Sequence, residues 1–294
     1  MKLLAVSDLH LHHEANREAL ARLTPRPDDW LILGGDVGET EDQLREALDL
    51  LAPRFARLLW VPGNHDLWSM PARGGGPAGE TKYRRLVDVC RARGVVTPED
   101  PFPLWPPSEG TGRPVRIAPL FLLYDYSFGP DDVPPERAVE WAMEADILCA
   151  DEALLKPDPH PSRAAWCAER CRVAEKRLTA ATADGAATVL VNHWPLRRDV
   201  TSLPAVPRFV VWCGTRRTED WHRRFNALAV VHGHLHIPRT RTVDGVPFEE
   251  VSFGYPRNWQ GRRTLEGSLR QILPRPSPPG EPSVDPPPER PDHS

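Results

Sequence analysis

The chain alternates short, unbroken apolar runs with segments whose apolar residues recur at helical spacing. Leu3 to Val6, Trp30 to Leu33 and Leu58 to Val61 are the first three runs. They end at Ser7-Asp8, Gly34-Gly35-Asp36 and Pro62-Gly63-Asn64-His65-Asp66. Between them, Asn16 to Leu23 has helical character, and Leu44, Leu48 and Leu51 follow one another at helical spacing until Pro53. Thr40 with Gln43 three residues later predicts a capping box at the start of that second helix. Unbroken apolar runs alternating with amphipathic helices predict βα units whose strands are buried on both faces.

The middle of the chain departs from this pattern. Residues 71–80 are rich in glycine and proline and read as a loop beside the site, and 98–114 hold many prolines and read as irregular. Val115 to Leu123 predicts a strand, and Ser162 to Ala183 a long helix with Cys167, Cys171, Ala174 and Leu178 along its apolar stripe. The apolar runs then return: Thr188 to Val191 ends at Asn192-His193, and Leu228 to Val231 ends at His232-Gly233-His234-Leu235-His236. Asp244-Gly245 between Arg239–Val243 and Val246–Phe253 signals a two-residue hairpin. One domain is expected over 1–273, with an acidic, proline-rich insertion at about 98–160, followed by a Pro-rich disordered tail at 274–294.

Composition narrows the class. No run approaches the roughly 18 apolar residues that span a bilayer, so no membrane partner is expected. Ser7-Asp8 interrupts the first run too early for a signal peptide, and the expected location is cytoplasmic. Five cysteines without a CxxC pair argue against a disulfide framework or a structural zinc site. Cys167 and Cys171 are read as core, His222 and His160 as surface residues, and His12 and His13 as exposed loop residues. The net charge of −4 excludes a strongly basic, nucleic-acid-coating surface. It is an average of unlike parts: 121–158 carry ten acidic and two basic side chains, and 197–224 carry seven arginines and three acidic ones. An arginine of the latter segment is a candidate phosphate contact, with a solvated surface the plainer reading for each.

Five apolar runs therefore end in metal-capable residues: Asp8-Leu9-His10, Asp36, Asn64-His65-Asp66, His193 and His234-Leu235-His236. Loops at the carboxyl ends of strands converge on one edge of an open α/β sheet. Carboxylates, imidazoles and an amide oxygen, with no thiolate, suit hard to borderline divalent ions such as Mn, Fe, Zn or Ni. Seven or more ligands exceed the needs of one ion and suffice for two. Gly34-Gly35, Gly63 and Gly233 are expected to let the backbone turn sharply beside these residues.

The motifs, in order, resemble the calcineurin-like metallophosphoesterase superfamily: D-x-H, GD, GNH followed by D or E, a lone H, then GHxH. Here they read DLH at 8–10, GD at 35–36, GNHD at 63–66, NH at 192–193 and GHLH at 233–236. The resemblance implies a four-layer α/β/β/α sandwich of two mixed sheets. It implies that Asp8, His10 and His236 bind a first metal ion, that Asp36 bridges two, and that Asn64, His193 and His234 bind the second. His65 would stand beside the metals as general acid or transition-state stabiliser. Asp66 would orient His65 through its other ring nitrogen, or fix the loop backbone. Two cations about 3.5–4 Å apart need a shared anion between them, and a bridging water there becomes hydroxide near neutral pH. The implied activity is metal-dependent hydrolysis of a small-molecule phosphomonoester or phosphodiester by that hydroxide. A nuclease and a catalytically silent scaffold of the same fold are the alternatives.

Departures narrow the branch. The protein Ser/Thr phosphatases resemble GDxxDRG and GNHE, where this chain has GDVGET and GNHD. The lipid-precursor pyrophosphatases tend to replace the histidine of GNH, retained here as His65. A local charge of −8 over 121–158 would repel DNA if it borders the cleft, so nucleic acid is an unexpected partner.

Overall fold

The apolar runs form strands in the computed structural model, which describes residues 1–70, 76–106 and 114–275. The expected disordered tail, apart from its first two residues, and the segment 71–75 of the Gly/Pro loop lie outside the described residues. The strands are β1 (Leu3–Val6), β2 (Arg26–Leu33), β3 (Phe55–Trp60), β4 (Leu104–Trp105), β5 (Val115–Pro119), β6 (Ala187–Val191), β7 (Ala227–His232), β8 (Arg239–Val243), β9 (Val246–Glu250) and β10 (Arg270–Leu273). One sheet has the order β10-β1-β2-β3 and the other β4-β5-β6-β7-β9-β8. β1, β2 and β3 are mutually parallel, with β10 antiparallel beside them. β5, β6, β7 and β9 are parallel, and β4 and β8 close the second sheet as antiparallel edges.

Side chains alternate across a strand, which explains why these runs are apolar throughout. Leu3, Ala5, Ile32 and Leu59 meet Ile117, Val189, Ala229 and Val231 in one cluster between the sheets. Their neighbours Leu4, Val6, Leu31 and Leu33 point away and pack with Leu44, Leu48 and Leu86 of the covering helices. Leu190 and Val230 likewise join Leu178 and Trp221 on the other outer face. The result is the expected two mixed sheets with helices outside. Thr40 caps the helix Glu41–Leu51, its side chain accepting from the Gln43 N–H at 3.2 Å. Among the described residues, no helix is long and apolar enough to cross a membrane.

Register sets the working edge. Val6 pairs with Leu33 and Leu33 with Trp60, so β1, β2 and β3 end in step. Val191 pairs with Val231 in the second sheet. The two sheets are joined at the same end, where the Ser7 N–H donates to Val251 O at 3.0 Å and the Phe253 N–H to Ser7 O at 2.9 Å.

The stretch at 98–160, in its described residues, takes part in the second sheet and in the main core. It supplies β4 and β5, and Leu120 to Tyr124 are buried in the main core. Its acidic side chains meet the arginines of 197–224: Arg208 with Glu144 at 2.9 Å, Arg216 with Asp131 at 2.5 Å and Arg217 with Asp125 at 3.3 Å. The two charged regions thus face each other. Cys167 and Cys171 are buried and unbridged. His222, expected at the surface, is buried against Phe248 and bonded to Asp244 at 2.9 Å.

Candidate active site

Strand ends place every predicted site residue along one edge. Asp8 and His10 follow β1, Asp36 follows β2, and Asn64, His65 and Asp66 open a one-turn helix (Asn64–Leu67) after β3. His193 follows β6, and His234 and His236 follow β7. All are buried except His236, which is 17% exposed. Asp8, His10, Asp36, His234 and His236 adopt left-handed backbone, with φ of 55°, 44°, 53°, 72° and 54°. They are five of the nine non-glycine residues in that region among the described residues. Such conformations cost on the order of 1–3 kcal/mol each and persist only where the surroundings impose them. Strain is concentrated where the chemistry is predicted.

The glycines serve both turning and close approach: Gly35 has a φ of 94°, and a Cβ there would run into His193 Nδ1. Gly63 has an ordinary φ of −100°, and a Cβ there would run into Asp36 Oδ1. A Cβ on Gly233 would meet Ser7 Oγ and Asp8 Oδ2.

The ligand atoms form two adjoining groups. In the first, Asp8 Oδ1 lies 3.0 Å from His236 Nε2, and His10 Nε2 lies 3.1 Å from the same nitrogen. The other Asp8 oxygen accepts from Ser7 Oγ at 2.5 Å, Ser252 Oγ at 2.7 Å and the His234 N–H at 3.1 Å, which aims Oδ1 into the site. In the second group, Asn64 Oδ1 is 3.2 Å from both His193 Nε2 and His234 Nδ1. His193 Nδ1 is fixed by Gly34 O at 2.9 Å, which turns Nε2 inward. Asp36 stands between the groups, its Oδ2 3.5 Å from His193 Nε2 and 4.0 Å from His10 Nε2.

Electrostatics show what this arrangement seeks. Burial opposes ionisation of Asp8 and Asp36, yet the surrounding imidazoles hold both carboxyls well below the usual range. Burial also opposes a charge on His193, but Asp36 and Asp8 raise it to about 10. Burial and the His193 charge lower His234 to about 3. His234 Nε2 is buried without a hydrogen-bond partner. Three carboxylate–imidazole groups, Asp8/His10/His236, His10/Asp36/His65 and Asp8/Asp36/His193, each bring their ligand atoms within 4.8 Å of one another. Anionic and lone-pair donors packed together out of water need positive charge among them. The residues present therefore fit divalent cations.

His65 and Asp66 do not pair. Adjacent residues on a helical turn point in different directions, and the Asp66 carboxylate is taken up elsewhere. It accepts from the backbone N–H of Asp36 (2.9 Å), Val37 (3.1 Å), Gly38 (3.2 Å) and Gly63 (2.9 Å). Asp66 thus staples the β2 and β3 loops together. Burial and then the Asp36 charge push it up to about 7 against those N–H donors. The group facing His65 Nδ1 is Glu39 Oε1, at 3.7 Å. His65 Nε2 looks toward Asp36 Oδ2 at 4.0 Å and the Tyr255 hydroxyl at 3.5 Å. Glu39 lies in the loop that carries Asp36, so its position was a usable signal. Tyr255 follows β9, outside every motif, and carried none.

The neighbouring histidines and tryptophans divide by role. His12 Nδ1 lies 3.4 Å from Glu39 Oε1, at the margin of the site. His232 is buried below the GHLH turn, and burial lowers it to about 4. Trp194 is fully buried against His193. Trp68 packs on the His65 ring at 3.6 Å between centroids and lines the cavity.

That cavity is about 510 Å³. Its polar end is formed by Asp36, Asn64, His65, His234 and His236. Its apolar lining includes Leu148, Cys149, Leu203, Val206 and Phe209. Leu148 and Val206 are 57% and 40% exposed at its rim. Arg257, stacked on Tyr255 at 5.0 Å, is the one arginine lining this cavity among the described residues. The arginines of 197–224 are absent from that lining.

The sequence model of the calcineurin-like phosphoesterases matches residues 1–238. A curated protein of Mycobacterium tuberculosis, "[Acyl-carrier-protein] phosphodiesterase PptH", is 49% identical over 276 residues, which is 93% of this chain and 84% of that protein. The crystal structure titled phosphopantetheinyl hydrolase (PptH), from the same organism, superposes with a TM-score of 0.89 at 48% identity. That match covers 95% of this chain and 98% of the other.

Proposed function

The chain belongs to the calcineurin-like phosphoesterase family, and on that premise we propose that it cleaves the phosphodiester joining a phosphopantetheine arm to an acyl carrier protein. It is a phosphoric ester hydrolase of the phosphodiesterase kind. The substrate is the finer step, and the observation that carries it is the two-natured cavity. Carboxylate, imidazole and amide groups line the same cavity as apolar side chains, of which Leu148 and Val206 are exposed. Such a lining suits an extended, mostly apolar arm, and exposed apolar side chains at a rim suit a protein surface. A polyanion such as DNA would want a basic track, and here Arg257 is the one arginine among the described lining residues.

In this reading Asp8, His10 and His236 hold one divalent ion, Asn64, His193 and His234 hold a second, and Asp36 serves both. Mn, Fe, Zn and Ni all suit the donor set. When bound, the ions supply Lewis acidity toward the phosphoryl oxygens and lower the pKa of a coordinated water. His65 would present Nε2 to the leaving oxygen, with Glu39 Oε1 3.7 Å from its Nδ1. Asp66 keeps the Asp36 and Asn64 loops in register.

The test is conversion of a phosphopantetheinylated carrier protein to its apo form, followed by intact-protein mass spectrometry. Loss of the arm by the Mn-loaded enzyme is expected. Turnover of bis(p-nitrophenyl) phosphate with no conversion of the carrier would reject this substrate and leave the hydrolase standing.

A further inference from the structure

Asp151 belongs to the acidic run that the sequence reads as a decoration, and it is nevertheless fully buried, at the start of the helix Asp151–Leu154. Its Oδ1 accepts from Asn64 Nδ2 at 2.9 Å and from Trp68 Nε1 at 2.6 Å, and its Oδ2 accepts from the Tyr124 hydroxyl at 3.0 Å. All three donors are themselves buried. A buried carboxylate shared by three segments of the fold does one clear thing to Asn64.

An asparagine amide has a donor end and an acceptor end of nearly the same shape, so its environment decides which way it faces. Asn64 has its oxygen 3.2 Å from His193 Nε2 and from His234 Nδ1. Turned over, it would present N–H groups to those ring nitrogens and to any cation between them. Asp151, which can only accept when ionised, holds the NH₂ end away from the ligand cluster and so commits the oxygen to it. The same Oδ1 anchors Trp68, whose ring lies 3.6 Å from that of His65. From this geometry we infer that Asp151 is a positioning residue: it sets the amide orientation of Asn64 and thereby the affinity of the Asn64/His193/His234 half of the site. The inference rests on the ligand role proposed above for Asn64.

Its test is the stepwise binding of Mn²⁺ to metal-free protein, followed by calorimetry and by metal content after gel filtration, with no turnover required. Asp151→Ala should weaken the second equivalent by about 10–100-fold, the usual cost of losing a group that orients a ligand, and leave the first unchanged. Asp151→Asn should bind both within about threefold of the parent, because its oxygen can face Asn64 and Trp68 while its NH₂ faces the Tyr124 oxygen. Asp151→Leu, which keeps aspartate's branched skeleton without its oxygens, repeats the alanine arm if alanine leaves too large a hole to fold. Unchanged second-ion affinity in the folded Ala or Leu variant overturns the inference. So does Asn behaving as badly as Ala, which would mean that charge, not orientation, is what Asp151 contributes. Asn64→Ala separates the two levels: two ions bound with parental affinity in that variant would overturn the ligand role of Asn64 itself.

Discussion

The ligand edge and the apolar wall of the cavity are built on opposite principles. At the edge, the side chains are buried apart from His236, and two of them are tied down on the side away from the cluster: Asp8 Oδ2 by two serines and a backbone N–H, His193 Nδ1 by Gly34 O. Five residues there are held in left-handed backbone by parallel strands that end in step. The wall, by contrast, is drawn from 148–150 and 203–209, outside regular strands, and its rim is left to solvent at Leu148 and Val206. Behind it, opposite charges of 121–158 and 197–224 pair at the surface. The edge is organised for one geometry, and the exposed wall is where the proposed carrier protein would make contact. Chemistry and substrate choice should therefore be separable by mutation.

The edge should break hardest. Asp36→Asn removes the anion that stands between the two groups and should lower kcat about 10³-fold or more, since such charge stabilisation is worth several kcal/mol. A folded, metal-reconstituted variant with parental turnover of a chromogenic diester would contradict the shared-ligand role. His65→Asn should lower kcat by about 10²–10⁴-fold with the metal content unchanged, the range for loss of a general acid. A fall in bound metal instead would move His65 into the ligand set.

The wall should respond differently. Leu148→Glu with Val206→Glu should raise KM for the carrier-linked diester about tenfold, on the order of 1.4 kcal/mol, with hydrolysis of bis(p-nitrophenyl) phosphate unchanged. An equal loss on both substrates would erase the distinction drawn here.

The smallest expected effect concerns stability against acid. Glu99 lies behind the cavity, accepting from Tyr83 OH and Arg170 at 2.7 Å each. Burial raises its pKa, but Arg170, the Tyr83 hydrogen bond and Arg84 outweigh that and lower it to about 2. A folded-state pKa below the unfolded one gives stability that is present above the unfolded value of about 4.3 and is lost as pH falls toward 2. Denaturant titrations should therefore show Glu99→Gln less stable than the parent at pH 7, with the gap closing below pH 4. A gap independent of pH would assign the effect to packing.

Much of the site was legible because its residues sit where periodicity changes. A run buried on both faces stops, and a ligand follows: Asp8, Asp36, Asn64, His193 and His234 all obey that rule. Asp66 shows where local reading stops. Its neighbour His65 suggested a pair, but four backbone N–H groups from two loops claimed the carboxylate. Glu39 was within reach of the Asp36 motif, whereas Tyr255 and Asp151 had no pattern around them. Within the acidic stretch, Asp151 is fully buried, which the charge count could not single out.

The sequence by itself determined the core strands β1, β2, β3, β6 and β7, the donor types and their order along the chain, while β5 ends at Pro119 rather than Leu123. These follow from neighbours within a few residues, through the two-residue period of a strand and the 3.6-residue period of a helix. Only the tertiary structure decided that Asp151 reaches Asn64 across 87 positions, that Glu39 rather than Asp66 faces His65, and that Leu148 and Val206 share one rim. Such contacts depend on how distant segments fill space and satisfy buried polar atoms, which no local spacing records.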